Sequence, residues 1–197
     1  MMIDVTPILA AVITAIATVA SILLGQRLKG RKEKECVIRE TSQNANVYTA
    51  LRYIMEHMQA DRGYIMELHN GDVYFSGRGQ QKFSCTYEIV EEGISAESQN
   101  SQNHRVSNYH NYVNDLVTEG RYLYHSIEDI KDQAFYQMIN RKGIKSIYNV
   151  PIKTVDGKII GILGVDYVKN EISDLGYDER TLTFMHRQAR MIAGYLI

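Results

Sequence analysis

The pentapeptide Glu67-Leu-His-Asn-Gly71 brings together a carboxylate, an imidazole and a side-chain amide. In an extended segment side chains alternate, so Glu67 and His69 share a face. With Asn70 they can accept from and donate to a small polar ligand, while Arg78 and Lys82 can neutralise an anionic group on it. Beside Asp72, the same pair has the composition of a general acid and base. The plainer alternative is an Asn70-Gly71 turn carrying a hydrogen-bonded structural histidine. Tyr87, Glu88, Tyr122, Tyr124, Tyr148 and Asn149 are further polar positions that can line one cavity, although tyrosines at alternate strand positions also serve as core or rim. Gly161 and Gly164 leave room for a ligand or for close packing of backbone and helix.

Other chemistries lack their residues. There is no Ser or Cys nucleophile elbow and no phosphate-binding loop, so the chain is expected not to be an enzyme and to have no catalytic residues. The two cysteines, Cys36 and Cys85, are far apart. That excludes a disulfide framework and a cysteine zinc site, and no metal ligand set is expected. A net charge of −1 over 197 residues offers no field for nucleic acid.

The first thirty-two residues carry the strongest compositional signal. No charge occurs from Val5 to Gln26, and Arg27, Lys29, Arg31 and Lys32 follow at once. As a helix, Pro7 to Gly25 reaches about 28 Å, near the thickness of a bilayer core. Basic flanks favour the cytoplasmic side. The expectation is a single-pass membrane protein anchored by residues 5–26, N-terminus outside and main domain cytoplasmic; the competing reading is a buried core helix. The organisation that follows is a tail and transmembrane helix at 1–26, a basic juxtamembrane segment and connecting helix at 27–46, and one domain at 47–197.

Hydrophobic spacing predicts the elements of that domain. Val47, Leu51, Ile54, Met55 and Met58 recur by three and four, the stripe of an amphipathic helix. Tyr64–Leu68 reads as a buried strand ended by a turn at His69–Asp72. Phe83–Val90 is a second strand, followed by a polar loop over 95–103. Val106–Leu116 reads as a helix, Tyr122–Tyr124 as a short strand and Gln133–Arg141 as a short helix. Ser146–Ile152 and Lys158–Asp166 flank Asp156-Gly157, a hairpin signal. A last helix opens at Tyr177-Asp178, with Leu182, Met185, Ala189, Ile192 and Leu196 on one stripe. Grouped strands flanked by helices predict an α+β fold with an antiparallel sheet of five to six strands.

Residues 126–169 resemble a GAF domain. Ile127–Asp132 with Phe135 is similar to the family's short strand and turn. Lys142-Gly-Ile-Lys-Ser146-Ile-Tyr-Asn-Val-Pro-Ile152 resembles its strand ending in Val-Pro-Ile, and Lys158–Val165 its next strand; the closing helix also fits. The resemblance extends over about 44–197. It implies that any ligand lies between the sheet and the helices and loops on one face, and in the family that ligand is a cyclic nucleotide, bilin, haem or small metabolite, or is absent. Neither cysteine matches the bilin pattern and no cyclic-nucleotide signature is present. His104, His110 and His125 are the histidines open to haem ligation, and the cofactor stays unassigned. The resulting expectation is a membrane-anchored sensory or binding module. It would hold a small-molecule ligand and signal through a homo-oligomer, formed by the connecting and C-terminal helices, or through a partner protein. The alternative is a structural or membrane-acting protein, of the kind a bacteriophage encodes, using a ligand-free GAF scaffold for protein contacts.

Overall fold

The computed structural model describes residues 6–172 and 178–197, with side chains in its first helix at 17–23 and from 37 onward. The chain divides into two compact units, residues 1–43 and Asn44–Ile197.

The described part of the first unit is helical throughout and belongs to α1, Thr6–Met58. Ser21 Oγ donates back to Ala17 O and Thr41 Oγ1 to Val37 O. Among the described residues no helix is long and apolar enough to cross a membrane. This overturns the expected single-pass localisation. The helix that holds the run, α1 at Thr6–Met58, offers among its described residues no window apolar enough for a span. The expected outside–inside topology falls with it, and contact with a membrane is not shown. Val5, where the run begins, lies outside the described residues.

The second unit opens with the last turns of α1, where Val47, Leu51, Ile54, Met55 and Met58 are buried as the stripe predicted, and Ala50 with them. There follow β1 (Arg62–Val73), β2 (Gly79–Val90), β3 (His104–Arg105), α2 (His110–Thr118), β4 (Tyr122–Tyr124), α3 (Gln133–Asn140), β5 (Ser146–Lys153), β6 (Ile159–Tyr167) and α4 (Glu179–Leu196). The strands form one six-stranded sheet in the order β3-β2-β1-β6-β5-β4. Every neighbouring pair is antiparallel. The fold is α+β, as expected.

Alternation along the strands builds two cores. Ile65, Val150, Ile152, Leu163 and Val165 pack against Leu51 and Ile54 of α1 and Met185 and Ile192 of α4. Tyr64, Met66, Phe83, Cys85 and Ile162 face the other way, under Tyr112 and Leu116 of α2 and Phe135 and Ile139 of α3. Asp132 joins those two helices, accepting from Phe135 N at 3.1 Å as the N-cap of α3 and from Tyr112 N at 3.2 Å.

The hairpin at Asp156-Gly157 forms as predicted, with Gly157 at φ +84° and its N–H donating to Thr154 O. The turn at His69–Asp72 does not form. Both residues lie inside β1, where His69 pairs with Lys82 and Asn70 with Gln81. Gln81 Nε2 also donates to Asn70 Oδ1 at 3.1 Å. Cross-strand pairing overrides the local preference of Asn-Gly, and the chain turns instead at Tyr74–Arg78, where Tyr74 N donates to Arg78 O at 2.9 Å. The polar loop ends in β3, a two-residue strand too short to leave a periodic signal. Tyr177, expected to open α4, lies outside the described residues; Asp178 caps that helix, accepting from Thr181 N at 2.7 Å.

Candidate functional site

Arg62 opens β1 directly opposite Asp166 of β6. Its Nη1 donates to Asp166 Oδ2 at 3.1 Å and its Nη2 to Ser95 O at 2.9 Å. Its Nε lies 3.4 Å from Glu88 Oε1 of β2. Glu88 in turn accepts from the backbone N–H groups of Glu97 and Ser98, each at 2.8 Å. Lys142, just past α3, donates to Ser101 Oγ. Two cations and two carboxylates are thus closed beneath residues 91–103, with the Arg62 and Asp166 side chains 2% and 3% exposed.

The charges hold one another in place. Burial pushes the Asp166 carboxyl up and Arg62 and Lys142 pull it back, leaving it at about 6. Burial lowers Lys142, and Asp166 and Glu97 hold it up. Asp166 Oδ1 and Arg62 Nε have no hydrogen-bond partner. Both residues line a cavity of about 20 Å³, which is room for a single water. A second polar chain runs along the same face: Tyr64 OH donates to Asn149 Oδ1 at 2.9 Å and Asn149 Nδ2 to Tyr112 OH at 2.8 Å. Gly164 makes that chain fit, because a Cβ there would collide with the Tyr64 ring and Asn149 Oδ1.

The residues singled out in the sequence are scattered around this centre. Glu88 and Asn149 line its cavity. Glu67 and His69 do share a face, but it is the face of Ile65, turned toward α1 and α4. His69 Nε2 is bonded to Ser84 Oγ at 2.9 Å. Tyr87 OH donates to Asn44 Oδ1 at 2.6 Å, and Tyr148 is buried in the α1–α4 core. Gly161 faces Met66 O, which a Cβ would meet at 2.6 Å. Asn70 and Arg78 are exposed, the guanidinium lying 4.9 Å from the centre of the Tyr74 ring. Tyr124 is half-buried beside Tyr122. Arg62 and Lys142 carry the centre without having been singled out. Their one sequence signal is a partner in the strand Ile159–Tyr167, where Asp166 is the single charge in an apolar run. Cys85 is buried and its thiol is pushed up to about 12, chiefly by burial and then by Glu88, so it is a packing residue rather than a nucleophile. Among the described residues no group of His, Cys, Asp and Glu is placed to hold a metal ion.

A family profile described as GAF domain matches residues 44–196. The chain belongs to the GAF domain family. Solved GAF domains share the fold at low identity. The blue-light absorbing form of the PixJ GAF domain from Thermosynechococcus elongatus superposes with a TM-score of 0.61 at 14% identity, covering 80% of this chain and 86% of that one. The GAF domain region of a Geobacter sulfurreducens protein gives 0.57 at 13% identity, covering 82% and 97%. The far-red absorbing dark state of JSC1_58120g3 with bound biliverdin IXα gives 0.55 at 11% identity, covering 78% and 97%. No curated protein matches the chain. At such identities the likeness speaks for the GAF fold alone.

Proposed function

We propose that this GAF domain is a sensory or binding module rather than an enzyme, with its ligand site at the Arg62–Asp166 centre. One observation carries the reading: Arg62 and two carboxylates are buried together, with half-buried Lys142 beside them and Asp166 Oδ1 unpartnered. Burying so many charges costs stability and is retained where a protein needs them. The centre lies between the sheet and the helices α2 and α3 with the loop 91–103, consistent with a GAF ligand lying between the sheet and the helices and loops on one face. The ligand chemistry it suits is small and polar, with an anionic group for Arg62 and Lys142 and a donor for Asp166. Ligand pockets commonly measure about 300–1,000 Å³. On this reading, residues 91–103 lift before anything larger than water is held. The change would pass to a second copy or a partner through the outer faces of α1 and α4, where Tyr53 is 51% exposed and Met191 40%.

Native mass spectrometry of the purified full chain, followed by a denatured scan for released molecules, tests this reading. A stoichiometric small polar molecule that is lost in Arg62→Lys supports it. The small cavity favours a second reading, a ligand-free scaffold for protein contacts. A domain that is empty and whose melting no small acid or amine shifts would establish that instead.

A further inference from the structure

A larger groove lies away from the charged centre and shares no lining residue with it. β4 pairs with β5 only as far as Tyr122 opposite Asn149. Beyond that point β5 and the hairpin turn run beside α4 and enclose a groove of about 760 Å³. Its apolar wall includes Pro151, Leu182 and Ala193, its charged side chains are Lys153, His186 and Arg190, and Ile197 with its main-chain carboxyl also lines it. The nearest acid in the hairpin, Asp156, is engaged by Thr154 Oγ1. His186 is half-buried, and the charged groups that act on it are all cations: Lys153 from β5, Arg190 from α4 and Arg121 from the segment before β4. Burial, then those cations, lower its pKa. Three basic side chains beside an apolar trough suit an anion that can reach them together. Pro151 offers no N–H along this stretch of β5, which disfavours an added peptide strand and favours a small molecule.

We propose that this groove is a second binding site, for a small organic anion with an apolar body. A carboxylate or phosphate head is held by Lys153, His186 and Arg190, and a hydrocarbon or aryl body lies along Pro151, Leu182 and Ala193. An anion beside His186 also favours the imidazolium, so binding takes up a proton near neutral pH. The test is titration of the full chain with decanoate, decanol and decylammonium, followed by calorimetry and by the His186 imidazole resonances. Decanoate is expected to bind saturably and decylammonium not at all. The His186 titration is expected to move to higher pH in decanoate. Lys153→Ser with Arg190→Ser, both at exposed positions, is expected to weaken decanoate by about tenfold at unchanged melting temperature. Lys153→Arg with Arg190→Lys is expected to keep the binding. Absence of saturable decanoate binding overturns the proposal. So does equal binding of decanol and decylammonium, or a double-serine variant that binds as well as the original.

Discussion

At Asp166 burial favours the neutral acid while Arg62 and Lys142 favour the carboxylate. Burial wins, leaving the group at about 6 against roughly 3.9 in an unfolded chain. Between those values the folded protein holds a proton that the unfolded chain has released. This residue's contribution to stability is therefore fully present below about pH 4 and lost as pH rises to about 6, by about 3 kcal/mol at most. Asp166→Asn cannot titrate. Urea midpoints measured from pH 4 to 7 are expected to fall less steeply in that variant than in the original; equal slopes would refute the assignment. Glu88 carries a different burden, because its carboxylate fixes the strap at 97–98 as well as facing Arg62. Glu88→Ala leaves Arg62 with one partner fewer and is expected to cost about 3–5 kcal/mol. Hydrogen exchange should speed up most at the Glu97 and Ser98 amides; uniform acceleration across β1 would mean that Glu88 only supports the core.

Among the elements, α2 and α3 depend on one side chain. Asp132 Oδ1 caps α3 through Phe135 N, and Oδ2 accepts Tyr112 N in α2. Asn at this position keeps one acceptor and loses the other, so Asp132→Asn is expected to cost about 1–2 kcal/mol and Asp132→Ala more, in chemical denaturation. Equal losses would mean that the acceptor Asn retains contributes nothing. Gly164 sets the spacing between β6 and β1, and Gly164→Ala drives a methyl into Tyr64 and Asn149. A cost of about 1–3 kcal/mol is expected, and a smaller added cost in a Tyr64→Ala background, where the ring it meets is gone. The α1 stripe, the β5–β6 hairpin and the α+β class were legible in the sequence because each rests on local spacing or on a turn signal. The extension of β1 through Asn70-Gly71 was not, since it depends on a partner strand that no local pattern names. The charged centre was hidden for the same reason. Arg62 and Asp166 are 104 residues apart, and only sheet register makes them neighbours. Glu67 and His69 attracted notice as polar residues in a strand, but strand alternation alone does not say which face meets which helices.

For the second unit as a whole, the core begins in the last turns of α1. Val47, Leu51, Ile54 and Met55 are 0–3% exposed and belong to the second unit. A fragment of residues 44–197 keeps all of them, together with Asn44, the acceptor for Tyr87 OH. It is expected to melt within about 2 °C of the full chain. A fragment starting at residue 59 lacks the whole stripe. Deleting each such side chain costs about 2–5 kcal/mol, and the sum exceeds the roughly 5–15 kcal/mol that holds a domain together. Circular dichroism of the shorter fragment should show no cooperative melt. If it folds, α1 is an accessory to the sheet, and a ligand at the Arg62–Asp166 centre has no packed route to that helix. If only the longer fragment folds, the helix that would carry a signal outward is itself part of the core, so a change in that core cannot leave it unmoved.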